Sequence, residues 1–276
     1  MGPARGGGEA PNHLSGGEGA PHAGTVPGVP DRTATLSRPA QGPASRQVER
    51  HTIERQQPRT TNTSGPQFCP TESPTSLETV RTWSTHAAWI ACCGSLPRGL
   101  APGWYADLVA GAREAGTRIA LDTTGPALLA ALPARPDVIK PNASELAAAV
   151  GRPLSTLADV TEAAQELRAR GAGAVLASLG ADGQLLVAEE GTYYGTARVP
   201  VDRVRSNVGA GDASLAGFLV AGGTGPAALA SALAHGAAAV QLPGSAMLTP
   251  ADLSPEAVRV TQDLPLDLRL SEPATA

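Results

Sequence analysis

Beyond Trp83 the chain alternates between short continuous apolar runs and longer stretches in which apolar residues recur every three or four positions. HAAWIACCG reads as a buried strand, PGWYADLVAGAREAG as an amphipathic helix ending at Gly116, TRIALD as the next strand and TGPALLAAL as a short helix. DVIKPN predicts a third strand stopped by Pro141, ASELAAAVG and STLADVTEAAQELRARG predict helices, and GAVLASLG predicts a fourth strand. QLLVAEE, GTYYGTARVP and a short VDRVR read as antiparallel strands with a turn at Glu190-Gly191. Two helices follow, one opening at GAGD and carrying Leu215, Phe218, Leu219 and Val220 at helical spacing, the other spanning GPAALASALAHGAAAVQL. Such alternation predicts an α/β fold, a mostly parallel, doubly wound sheet covered by helices on both faces. Ligands in sheets of this kind bind beyond the carboxyl ends of the strands.

The first eighty or so residues are different. Prolines there are about as numerous as large apolar residues, and neither helical nor strand periodicity is present. The reading is therefore two regions: residues 1–82, of low complexity and without a packed core, and a folded domain over residues 83–276. The seven arginines from Arg5 to Arg59 are dispersed, as in a solvated tail.

Composition narrows the function classes. A net charge of -4 gives no reason to expect nucleic acid as a partner. No run approaches the roughly 20 apolar residues of a membrane helix, and the N-terminus has no apolar signal core, so the expectation is a cytoplasmic protein without a membrane partner. Cys69, Cys92 and Cys93 are read as buried reduced thiols rather than a disulfide or a metal site. Lys140 is the only lysine.

Candidate chemistry lies at strand ends. Gly94-Ser95-Leu96-Pro97, Asp122-Thr123-Thr124-Gly125, Lys140-Pro141-Asn142 with Glu145, and Ser178 to Gly183 all follow predicted strands and should share one rim of the sheet. Each alone is explained by the preference of strand-to-helix turns for Gly, Ser, Asp and Asn. SNVGAGDASLAGFL adds a helix start at Gly209-Ala210-Gly211, where unpartnered N–H groups and the helix dipole make an anion site. Asp212 in its first turn is either a capping carboxylate or a general base beside a phosphate. Glu145 likewise reads as a first-turn carboxylate, Lys140 as a solvated strand end and Asp122 as a turn-stabilising side chain, unless the cluster is functional.

These motifs resemble the ribokinase-like (PfkB) carbohydrate kinases: GAGDASLAGF is similar to the family's GAGD signature, KPNASE to its Asn-x-x-Glu element and SLGADG to its nucleotide loop. GSLPRG, LDTTG, IKPNASEL, PGSAM and LPLDLRLSEPA look most like the 1-phosphofructokinase branch. The resemblance runs from about Ala87 onward. It implies an ATP-dependent sugar-phosphate kinase that converts fructose 1-phosphate to fructose 1,6-bisphosphate, with ATP and Mg²⁺ as cofactors; tagatose 6-phosphate and fructose 6-phosphate are the alternative substrates within the family. By the same resemblance Asp212 would be the catalytic base and Gly209, Ala210 and Gly211 the anion hole. Lys140, Ser178, Gly180 and Gly183 would border the nucleotide, Asn142 and Glu145 would act on Mg²⁺, and Ser95 and Asp122 would meet the sugar phosphate. The family's sugar-binding Asp and glycine-rich GG element, which normally lie near the start, are not found before Trp83. This departure implies a second reading, a non-catalytic remnant that keeps nucleotide binding, and it predicts uncovered apolar sheet surface open to a homodimer.

Overall fold

The computed structural model describes Glu78, Thr82 and residues 87–274 other than Ser245. The low-complexity segment expected over residues 1–82 lies outside the described residues, except for Glu78 and Thr82, which are helical.

Strands β1 (Trp89–Cys93), β2 (Arg118–Asp122), β3 (Val138–Ile139) and β5 (Ala174–Ser178) pair in parallel in that order. Strands β6 (Gln184–Ala188), β7 (Gly191–Ala197) and β8 (Val258–Thr261) extend the same sheet antiparallel, giving seven strands. A separate pair joins β4 (Leu154–Thr156) to β9 (Arg269–Ala274). The helices are α1 (Trp104–Glu114), α2 (Gly125–Ala131), α3 (Ala143–Val150), α4 (Leu157–Ala169), α5 (Ala210–Val220) and α6 (Gly225–Ala239).

Strand alternation decides what each face packs against. Ile119, Leu121, Ile139 and Val175 pack with Leu108 and Val109 of α1, Leu128 of α2, Leu146 of α3 and Val160 and Leu167 of α4. On the other face Ala120, Val138, Ala174 and Leu176 meet Leu215 and Phe218 of α5 and Leu229 and Leu233 of α6. The second face is lined by smaller residues, so α5 and α6 lie close to it and to each other. A Cβ on Gly217 of α5 would lie 2.5 Å from the His235 ring of α6, and the Ser231 hydroxyl donates to the Gly217 carbonyl at 2.8 Å.

Two expectations need correction. VDRVR is not a strand: Val201–Arg203 forms a 3₁₀ turn after Pro200, and Val201 and Val204 are exposed. Its valines are three apart, the 3₁₀ period rather than the strand period of two. The place beside β7 is taken by β8, from a C-terminal segment to which sequence reading assigns no strand. Cys93 is also not buried: it is exposed at the end of β1, with Cys92 half-buried, and both are free thiols. β1 is an edge strand, and its Ala91 is exposed as well. No helix among the described residues is long and apolar enough to cross a membrane.

A side-chain cap fixes the start of α4. At α4 the Thr156 hydroxyl accepts from the Asp159 N–H at 3.2 Å, while the Asp159 carboxylate accepts from the Ser155 N–H at 2.8 Å and the Thr156 N–H at 2.9 Å. Those bonds, the Ser155 N–H first, hold the Asp159 carboxyl below its ordinary range. Its stabilisation is therefore present above the ordinary carboxylate pKa and is lost as pH falls through the lowered folded value. Thr156→Ala is expected to cost about 1 kcal/mol, read from the midpoint of urea unfolding at neutral pH.

Candidate active site

The parallel strands place their carboxyl ends on one rim. In-register pairing sets Cys93 opposite Asp122, and the Gly94 N–H donates to the Asp122 carbonyl at 2.8 Å. One strand further, the Lys140 N–H donates to the Leu121 carbonyl at 3.0 Å. Lys140 is no solvated strand end: it is only 6% exposed, and its Nζ lies 3.1 Å from Asp122 Oδ2. Burial raises the Asp122 carboxyl above its ordinary range; Lys140 opposes this, while the negative charges of Asp212 and Glu145 add to it. That electrostatic reach puts Asp122, Lys140, Asp212 and Glu145 in one cluster.

Helix α5 completes it. Gly209, the N-cap residue, has φ +78°, a left-handed conformation that glycine adopts at no steric cost. The Ala210 N–H donates to the Asn207 carbonyl at 3.4 Å, but the N–H groups of Gly211 and Asp212 have no backbone acceptor among the described residues. No side chain caps this helix, so Asp212, exposed in the first turn, is not acting as its cap. A Cβ on Gly211 would lie 3.1 Å from Lys140 Nζ, which places the ammonium directly beside this open helix end. Two N–H groups without a backbone acceptor, the dipole of an eleven-residue helix and one buried cation thus meet in one place, an arrangement able to hold an anion, with a carboxylate at its edge.

Asn142 and Glu145 are held by each other. Asn142 Oδ1 accepts from the Glu145 N–H at 2.9 Å and Glu145 Oε2 from the Asn142 N–H at 2.9 Å, a capping box on α3. The helix-cap role open to Glu145 is thus present, and its second carboxylate oxygen stays uncommitted. Asn142 also bridges to Ser178 in parallel, and the Ser178 N–H donates to the Pro141 carbonyl at 3.0 Å, so both share the rim. Gly180 and Gly183 sit in the tight turn after β5, closed by the Leu179 N–H on the Gly183 carbonyl at 2.9 Å. Gly183 has φ +101°, and a Cβ there would lie 2.1 Å from the Gly195 carbonyl oxygen, so this turn admits only glycine. Ser95 is exposed in the loop after β1.

Cys93, read from the sequence as a buried thiol, stands at the same rim. One ligand atom each from Cys93, Asp122 and Asp212 lies within 4.8 Å of the other two. The only sequence signal is its place as the last residue of an apolar strand, where the rim begins.

A model of the pfkB family carbohydrate kinases matches residues 45–252. The match begins well before Ala87 and takes in part of the segment that showed no family motif. The 1-phosphofructokinase of Rhodobacter capsulatus is 49% identical over 154 residues, covering 54% of this chain and 48% of that protein. Among solved structures, phosphofructokinase-2 of Escherichia coli in complex with potassium superposes with a TM-score of 0.62 at 31% identity, over 68% of this chain and 62% of that one. Arabidopsis thaliana ribokinase complexed with ribose and ATP gives a TM-score of 0.50 at 25% identity, over 62% and 54%. The chain spans about half the length of the curated relatives it matches, 48%, 41% and 50% in three of them. With the family model matching most of the chain and the doubly wound sheet matching its solved relatives, this chain belongs to the pfkB family of carbohydrate kinases.

Proposed function

We propose that this chain carries the nucleotide-binding and phosphoryl-transfer half of an ATP-dependent sugar-phosphate kinase, with fructose 1-phosphate as acceptor. The observation that carries the reading is the uncapped N-terminus of α5, where Asp212 stands exposed beside two free N–H groups and the buried Lys140. The similarity to proteins named 1-phosphofructokinase favours fructose 1-phosphate over tagatose 6-phosphate or fructose 6-phosphate. Cytoplasmic localisation belongs to the same reading.

In this mechanism Asp212 accepts the proton of the sugar hydroxyl as that oxygen attacks the γ-phosphorus of ATP. The new O–P bond forms as the bond to the β-phosphate oxygen breaks, and ADP leaves. The N–H groups of Gly211 and Asp212 point at the position where negative charge gathers on the transferring group, and Lys140 adds a fixed positive charge below it. Asp122, paired to Lys140, keeps that ammonium from swinging out of the site. Ser178, Gly180 and Gly183 border the nucleotide, and Ser95 meets the sugar phosphate. Asn142 and Glu145 fit Mg²⁺ through its water shell, because their capping bonds leave one carboxylate oxygen uncommitted and Mg²⁺ gives up water reluctantly. The metal would neutralise phosphate charge when bound.

Titration calorimetry with Mg-ATP tests the nucleotide half directly. Binding is expected, and Glu145→Gln should weaken it only when Mg²⁺ is present. A demonstrably folded sample that takes up no ATP overturns the proposal. A non-catalytic chain that keeps nucleotide binding is the alternative, and turnover decides between the two.

A further inference from the structure

The mechanism leaves Cys93 unused, although its thiol stands inside the carboxylate cluster. Cys93, Asp122 and Asp212 come from three elements, the ends of β1 and β2 and the first turn of α5. The β1–β2 register and the Gly94 N–H bond hold Cys93 against Asp122, while α5, packed on the face to which both residues alternate, brings Asp212 to them. Cys93 and Asp212 are both exposed, so an ion can reach them from solvent. The Lys140 ammonium at 3.1 Å from Asp122 Oδ2 offsets one of the two carboxylates, and one ammonium against two carboxylates still leaves a net negative charge.

The thiol itself is poorly nucleophilic. Although solvent reaches the residue, the loss of water around its sulfur first, then the charges of Asp122 and Asp212, push Cys93 up to about 12. Both causes favour the protonated thiol. A metal that favours sulfur changes this, since a coordinating thiol loses its proton outright.

We propose that Cys93, Asp122 and Asp212 form a site for a thiophilic divalent cation of the Zn²⁺ or Cd²⁺ class, with one sulfur and two oxygen ligands. Around a tetrahedral ion with bonds of about 2.0–2.3 Å, ligand atoms stand about 3.6 Å apart. The three atoms, already within 4.8 Å, need only draw in by roughly an ångström, a side-chain adjustment. On binding, the S–H proton passes to water as the sulfur–metal bond forms, with no change of oxidation state. Two carboxylates, one thiolate, one ammonium and the divalent ion then sum to zero charge. Mg²⁺ does not compete, because it prefers oxygen ligands and keeps its waters. The ion also ties up the Asp212 carboxylate and so blocks proton acceptance; that consequence, unlike binding, rests on the kinase reading.

The test is titration of the full chain with cadmium alone, following the ultraviolet absorption of the cadmium–thiolate bond. One cadmium per chain is expected, unmoved by excess Mg²⁺. Cys93→Ser should abolish the band, whereas Cys92→Ser and Cys69→Ser keep it. Asp122→Asn and Asp212→Asn should each weaken cadmium affinity by at least about tenfold. No band in the unmodified chain, a band that survives Cys93→Ser, or an affinity that both Asp substitutions leave unchanged overturns the site. Since the readout needs no turnover, it stands or falls apart from the kinase activity.

Discussion

Asp212→Asn is expected to lower phosphoryl transfer to fructose 1-phosphate by about 10²- to 10⁴-fold, with Mg-ATP binding retained, in this chain completed with a family-type N-terminal portion ahead of Ala87. Asparagine keeps the shape and the helix but cannot accept the proton. The chain as it stands is the necessary control, and its turnover is expected to be very weak although the base is intact. Asp212 acts only on a hydroxyl held within about 3 Å and in line with the γ-phosphate, and such positioning supplies on the order of 7 to 11 kcal/mol of a barrier. Losing half of that lowers the rate by roughly three to four powers of ten. A coupled assay of ADP release measures both. Turnover by the chain alone at about 1 per second or faster shows that the sugar is held by residues already present. An active completed chain that survives Asp212→Asn removes the base assignment itself.

Lys140→Met is expected to be the most destabilising substitution on the rim. The ammonium is buried, and its partner Asp122 is only 18% exposed. Removing one member of such a pair leaves the other charge without compensation, at a cost of about 3 kcal/mol. Part of that is regained by protonating Asp122, whose carboxyl is already raised by burial and which loses its main opposing charge in the variant. The sign follows from linkage: a raised folded pKa means that the folded state holds the proton more tightly than the unfolded state, so the loss shrinks as pH falls through that value and is full above it. Urea unfolding at pH 8 and pH 5 reads this difference. Asp122→Asn combined with Lys140→Met should cost less than the sum of the two single changes, and strict additivity would show that the pair does not interact.

Much of the fold is legible along the chain because its signals are local. The strand at Trp89–Cys93, the helix closing near Gly116, the two-residue link between β6 and β7 and the helix start at Gly209 follow from apolar periodicity, glycine punctuation and proline stops within a few residues of each other. So does the shared rim, because parallel strands end on the same side. The GAGD segment carries its own chemistry, since an open helix N-terminus is a property of its first turn alone.

What the chain could not declare is whatever depends on partners distant in sequence. Val201–Arg203 turns rather than extends because the position beside β7 is taken by β8, some sixty residues later. Nothing near Arg269 says that it ends opposite Thr156. Lys140 reads as a strand end open to water, and only the approach of α5 and β2 buries it against Asp122 and beneath Gly211. Cys93 reads as core by composition, yet β1 lies at the sheet edge and the register with β2 turns its thiol toward two carboxylates. Local backbone preference sets where an element starts and stops, whereas burial, charge pairing and ligand geometry arise only when separate elements pack, and those are the terms that make this rim a site.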